Sequence, residues 1–356
     1  MRNPHAVYFT NVRFFLILLV VLVNLLTALP GLPDAAQALV AGIFTFHLPV
    51  FVLVTGFFTK KFWETPDAAA GLLRIGLQYL FFQTVYSLLD LFWLKTPGME
   101  HSFWLPYWML WFLTAHLGWK LLLVPFRKLK HPIAAAVLLG VAAGCLPADA
   151  GAWMGITRML VFFPFFLAGY YWREGGKAPQ PAAVRRLLKA GAALLLLALP
   201  VLWQAAGAEA AAEWLAGGTA YADLGVPAYA GAAMRLAFYA AQAAASAAFL
   251  QLLPRTESRV TVLGGRTVYV FLLHGAAIKL LAAAGLLGLL TERLHAGGAV
   301  TAAAIFAAAL AAAGIVAVLS SGKLAAAMRP VIEPDAGRLL RWMHLQPRER
   351  RARGTY

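Results

Sequence analysis

The sequence predicts an all-α fold: a polytopic bundle of transmembrane helices, about ten spans, with both termini cytoplasmic. Three observations predict it. Of the 356 residues, 62% are apolar and 13% are charged, roughly half the charged share of an average soluble domain. Apolar runs long enough to cross a hydrocarbon core of about 30 Å recur from one end of the chain to the other. The basic residues gather in alternate connections between those runs.

The runs lie at roughly 14–30, 36–58, 72–94, 104–125, 132–147, 154–172, 187–204, 229–253, 268–290 and 299–320, the fifth being the shortest. Backbone groups in lipid have no water to bond, so each run satisfies its own as a helix. The first run, Phe14 to Leu29, reads as an uncleaved span: the next follows closely, and nothing after it resembles an exported soluble domain. With the N-terminus inside, one set of connections and the tail hold 24 Lys or Arg, and the opposite set holds only Lys95 and Arg293. That asymmetry sets the orientation, and removing one span would destroy it.

The expected organisation is a ten-helix domain over residues 1–322 and a basic cytoplasmic tail over 323–356, lying on the anionic inner leaflet of a cell (plasma or inner) membrane. The longest outer connection, about 205–228, carries Glu209, Glu213 and Asp223 and is expected to form a small cap. The net charge of +15 follows from topology, so membrane lipid and not nucleic acid is the expected partner. The single cysteine, Cys145, excludes an internal disulfide and is expected to pack within its apolar run. No GK[ST] loop, GxSxG, HExxH or CxxC pair occurs, and no metal is expected.

Ionisable groups inside spans are costly, so they are the candidate functional residues. They are His47, Asp90, His116, Lys120, Arg158, Arg235, His274 and Lys279, with Arg13 at the mouth of the first span. His47 falls roughly 16 Å deep, near the midplane, and Pro49 beside it removes a helical hydrogen bond and crowds the carbonyl of Thr45. His116 and Lys120 share a face, and Lys120 is close enough to the inner end to snorkel. Arg158 and Arg235 either bind an anionic acceptor or reach the outer headgroups, and Asp90 is a candidate partner for one of them. Intramembrane cations outnumber carboxylates, which suits an anionic ligand better than a cation pathway.

Several strings then become recognisable. The first span reads NVRFFLILLVVLVN, and the second reads IFTFHLPVFVLVTGFFTKKF, similar to the pattern fHmPlFfflSGyf. WMLWFLTAHLGWKLL, FFPFFLAGYYWR and VYVFLLHGAAIKL follow in order. Together they resemble the acyltransferase 3 family, ten-helical integral membrane O-acyltransferases that acylate bacterial surface sugars in the cell envelope. The resemblance implies transfer of an acetyl or other short acyl group from cytoplasmic acyl-CoA (acetyl-CoA) to a hydroxyl of an extracytoplasmic glycan or lipid-linked sugar, as in polysaccharide O-acetylation.

The family's hallmark is a basic residue and a histidine eleven positions apart in the first span. Arg13 matches the first, and Asn24 stands where the histidine is expected. An amide takes no proton near neutral pH. Three accounts follow: His47 is the base and Asn24 orients substrate or stabilises an oxyanion; a different histidine such as His274 serves; or the chain is a catalytically inactive member acting as a transporter, flippase or assembly protein for a surface glycan. His116 and Arg158 are secondary candidates. Arg13, Lys60, Lys61, Arg127, Lys128 and Lys130 are the candidate partners for acyl-CoA phosphates.

Overall fold

The computed structural model describes residues 3–94, 101–173 and 181–343, and among these every regular element is helical. Helix α1 (Pro4–Thr27) opens with Asn3 capping its first turn and Pro4 in the position where no N–H is needed. Then come α2 (Asp34–Phe44), α3 (His47–Phe58), α4 (Ala68–Leu88), α5 (Trp111–Phe126), α6 (Pro132–Ala143), the short α7 (Ala148–Ala152) and α8 (Ile156–Tyr170). The second half comprises α9 (Ala182–Ala206), α10 (Ala208–Ala216), α11 (Ala228–Leu252), α12 (Arg259–Gly264), α13 (Thr267–Ala283), α14 (Leu286–His295) and α15 (Gly298–Leu319). Two further helices, α16 (Gly322–Ile332) and α17 (Ala336–Trp342), follow.

Each of the ten expected apolar runs contains a helix, but they are not alike. Among the described residues six helical stretches are long and apolar enough to cross a bilayer, and a bent pair would make a seventh. The chain is an all-α membrane protein. Four runs depart from the simple expectation for readable reasons. Helices α4 and α11 are long enough but carry Gln78, Gln83, Arg235 and Gln242, which they bury against the protein. Helix α6 has 12 residues, about 18 Å, which is short of the core thickness. The ninth run is not one helix: α13 and α14 meet at 81° across Gly285, whose φ of +75° suits glycine. Because α6 stops at Ala143, Cys145 lies beyond it and is exposed, not packed as expected.

One end of the bundle gathers the segments that the charge pattern had grouped. Asn11 of α1 donates to the carbonyls of Pro254 and Thr256 and accepts from Thr261 of α12. Gln78 of α4 donates to Ile332 of α16, Tyr269 bonds Glu333, and Ala70 packs with Ala336 and Leu340. Thus α16 and α17 belong to the bundle surface. Residues 344–356 of the expected tail lie outside the described residues, as do Lys95 and Lys177.

The centre is aromatic: Phe112, Trp119, Phe162, Phe163, Phe166 and Phe271 pack between α5, α8 and α13. Helices α9 and α15 lie at the periphery and turn Leu194, Leu197, Phe306 and Val318 outward, as lipid solvation allows. The closest crossing joins α3 to α8. A Cβ added at Gly56 would stand 1.9 Å from the Phe166 carbonyl oxygen, and one at Gly169 would stand 1.8 Å from that of Leu53. Small residues let backbones touch where no hydrophobic drive exists between helices.

This crossing predicts that Gly169→Ala lowers the unfolding midpoint in detergent, at a cost of about 1–3 kcal/mol or more. Gly76→Ala, whose new methyl meets nothing within 4 Å, should leave it unchanged or raise it.

Candidate functional site

Helices α2 and α3 are two pieces of one span, broken at Thr45 and Phe46. The Thr45 hydroxyl donates back to Ala41 at 2.9 Å and accepts from the Trp203 indole of α9 at 2.7 Å. Pro49 cannot donate to the Thr45 carbonyl, so the break falls one turn ahead of it, as its chemistry requires. His47 therefore begins α3 at a helix discontinuity. It is 2% exposed and lines a cavity of about 230 Å³ together with Asn24, Arg158, Trp108, Trp111 and Phe271. Ala216, at the end of α10, also reaches it, so the connection over 205–228 contributes a wall.

Three sequence candidates thus share one cavity: His47, Asn24 and Arg158. The hydrogen bonds decide their chemistry. His47 Nδ1 lies 2.8 Å from the Ile43 carbonyl, which can only accept, so in the neutral ring Nδ1 carries the proton and Nε2 is the basic nitrogen. His274 is fully buried, with Nδ1 3.0 Å from Val270 O and 2.8 Å from Phe271 O, which fixes the same tautomer. Its Nε2 then accepts from Asn24 Nδ2 at 3.0 Å. Asn24 is held as an amide with one N–H committed; its other N–H and its carbonyl oxygen have no partner assigned by this contact. His274 stands behind Asn24.

Arg158 occupies the first turn of α8, after a turn that glycine and strain build together. Met154 has φ 54° and Gly155 φ 67°, and the Thr114 hydroxyl holds the Met154 carbonyl at 2.7 Å. A non-glycine residue in the left-handed region is costly and is tolerated where its surroundings over-determine it. The guanidinium lies 5.3 Å from the Trp111 ring centroid, against Gly218, where a Cβ would come within 2.5 Å of Nε.

Trp108, the other non-glycine residue at positive φ (43°), follows Tyr107, which donates to Asp90. Asp90 sits in a π-helical turn after α4 (Leu89–Leu94) and pairs with Lys279 of α13 at 2.8 Å. This corrects the expectation that Asp90 serves Arg158 or Arg235. The π turn carries its carboxylate to α13, whereas Arg235 is bonded to the Trp214 carbonyl and stacked on the Trp214 ring. Tyr107 stacks on Tyr86 with centroids 5.5 Å apart, and Tyr86 donates to Leu272 and accepts from Ala276. The Asp90 latch therefore fixes Trp108 against the helix that carries His274.

Arg13 does not reach the cavity. Eleven residues separate it from Asn24, about 16 Å along α1, and it lies over the Phe58 ring at 4.1 Å. Its charge and that of Lys120 bear on His116. Lys120 does not snorkel: it is 5% exposed, its ammonium 3.4 Å from the Phe62 ring centroid and 3.5 Å from the Thr59 hydroxyl. Residues 62–64 form a 3-10 turn over it, with Trp63 bonded to its carbonyl. Lys60 donates to Trp172, and Lys61, Arg127, Lys128 and Lys130 are on or near the same surface, mostly exposed. Phe112, His116 and Lys120 lie at i, i+4 and i+8 on α5, so one face runs from the cavity toward this basic end. Sequence reasoning missed Lys120 as a buried cation and Trp108 and Trp111 as cavity walls; the four-residue spacing from His116 was the available signal.

The site is thus a histidine, an amide and an arginine in an aromatic cavity of a helical membrane bundle, with cations gathered at one end. The acyltransferase 3 family model, described as an acyltransferase domain, matches residues 7–320, and the chain belongs to that family. No curated protein and no solved structure matches the chain.

Removing the latch tests its part in the bundle. Asp90→Ala leaves the Lys279 ammonium unpaired and is expected to cost about 2–4 kcal/mol, read as a lower thermal midpoint. Asp90→Leu with Lys279→Met should recover most of that loss.

Proposed function

We propose that this chain moves an acetyl or other short acyl group from cytoplasmic acyl-CoA to a hydroxyl of an extracytoplasmic glycan or lipid-linked sugar. The observation that carries the reading is the convergence of His47, Asn24 and Arg158 on one cavity inside the family-matched region. Both termini and the basic end face the cytoplasm in this proposal, and about ten helical segments cross a plasma or inner membrane. The donor's phosphates meet Arg13, Lys60, Lys61, Arg127 and Lys130, with Lys120 and His116 further in. The acyl group is drawn along the face of α5 toward the cavity.

There the acceptor hydroxyl oxygen attacks the thioester carbonyl carbon. His47 Nε2 takes the hydroxyl proton as the carbon–oxygen bond forms, the carbon–sulfur bond breaks, and the proton passes to the leaving thiolate, so thioester and alcohol become ester and free thiol. The uncommitted N–H of Asn24 suits the developing oxyanion, because His274 already holds the amide in place. A second reading makes His274 the base, but the 3.0 Å contact opposes it, because the Asn24 N–H occupies the Nε2 lone pair that would have to take the proton. His47 lines the cavity and His274 does not, which also favours His47.

Purified protein in nanodiscs, given acetyl-CoA and a surface-type glycan, should release thiol and acylate the sugar. His47→Ala is expected to lower kcat by about 10²-fold or more, with the KM for acetyl-CoA little changed. A wild-type rate in His47→Ala with loss in His274→Ala would transfer the base role to His274. Glycan movement across liposomes without acyl-CoA, and no thiol release, would favour the transport alternative. Lys120→Met should raise the KM for acetyl-CoA by about tenfold while leaving kcat within a few-fold.

A further inference from the structure

We propose that the acceptor taken by the cavity is an anionic sugar, a hydroxylated ring carrying a carboxylate or phosphate that pairs with Arg158. This rests on the preceding reading of the cavity as the acceptor site. Arg158 lines that cavity with His47 and Asn24, and the described lining contains no carboxylate. The ion pairs found among the described residues use Lys279, Arg329 and Arg338, and no carboxylate among those residues pairs with Arg158. Arg235 does not line this cavity; it bonds the Trp214 carbonyl through Nη1 and lies over the Trp214 ring.

A guanidinium kept in an embedded cavity without a counter-charge is costly, and such groups mark ligand sites. This one lies against Trp111 and Gly218. The left-handed pair Met154–Gly155 aims the first turn of α8, Trp111 supports the guanidinium plane, and Gly218 lets the opposite backbone come close. A planar fork with a free face matches the two oxygens of a carboxylate or the oxygens of a phosphate. The remaining walls are largely aromatic, among them Phe44, Phe51, Trp108 and Phe112, which offer flat apolar faces to a sugar ring. A neutral sugar would leave Arg158 desolvated and unpaired; an anionic one removes that penalty and selects itself.

The test is ground-state binding without acyl-CoA, so its failure leaves the transfer reaction standing, and absence of transfer would leave a positive binding result intact. Protein in phosphatidylcholine nanodiscs is titrated, by tryptophan fluorescence, with methyl β-glucoside, methyl β-glucuronide and methyl β-glucoside 6-phosphate. The wild type is expected to bind at least one anionic glycoside about tenfold or more tighter than the neutral one, with the difference shrinking as salt rises. The tighter of the two anionic probes distinguishes a carboxylate from a phosphate source. Arg158→Gln should bind all three alike, and Arg158→Lys should keep part of the preference. Equal binding of the three by the wild type overturns the proposal, as does a preference that survives in Arg158→Gln or the lack of saturable binding of either anionic probe up to about 10 mM. If Arg158→Gln does not fold, the wild-type and Arg158→Lys titrations decide it alone.

Discussion

The contact of α3 with α8 at Gly56 and Gly169 is the constraint on which the rest of the molecule depends. Each glycine admits a backbone carbonyl of the other helix into the space a side chain would fill. Lipid offers no hydrophobic reward for bringing two helices together, so the approach rests on backbone and side-chain packing, which needs small residues at the crossing. The two helices run in the same direction, with residues near 56 facing residues near 168. Counting back by a similar number from that crossing reaches His47 on one helix and Arg158 on the other. One close approach thus brings the imidazole and the guanidinium to the same level, where both meet the cavity.

The cavity is then held open by groups that resist relaxation. Trp108 and Met154 occupy left-handed backbone conformations, and each is anchored nearby, through Tyr107 and Asp90 in one case and through Thr114 in the other. The Asp90–Lys279 pair joins the π turn after α4 to α13, so the segment that presents Trp108 and the helix that carries His274 share one latch. Asp90, Lys279 and His274 are matched by protein partners, whereas Arg235 bonds the Trp214 carbonyl through Nη1 and keeps Nε and Nη2 buried without a hydrogen-bond partner. Arg158 at the cavity and Lys120 at the basic end have only aromatic rings and, for Lys120, a hydroxyl. Cations left for a ligand at two different levels are what a reaction joining an anionic donor to a separate acceptor requires, on the reading proposed above.

Asn24 gains a physical meaning from its surroundings. This chain has an amide at the position where the resemblance leads one to expect histidine, and an imidazole from α13 lies against it. The amide donates to the ring nitrogen that backbone carbonyls have left unprotonated, and keeps a second N–H that a neutral imidazole would lack. The substitution and the histidine behind it are mutually consistent, and they leave His47 as the imidazole facing the cavity.

What the sequence by itself determined was the solvent, the helical class, the places of the apolar segments and the family. Those follow from residue type and spacing, because lipid forbids unpaired backbone and basic residues avoid alternate connections. It also singled out His47, Asn24 and Arg158. Only the tertiary structure decided which polar residues meet: that Asp90 serves Lys279, that Arg13 lies over the Phe58 ring, that Lys120 is roofed over, and that α13 and α14 bend at Gly285. Periodicity assigns a residue to a face of its own helix. Which neighbour covers that face depends on crossings such as Gly56–Gly169 and on turns such as Met154–Gly155, where backbone geometry between distant segments sets the outcome and local spacing carries no record of it.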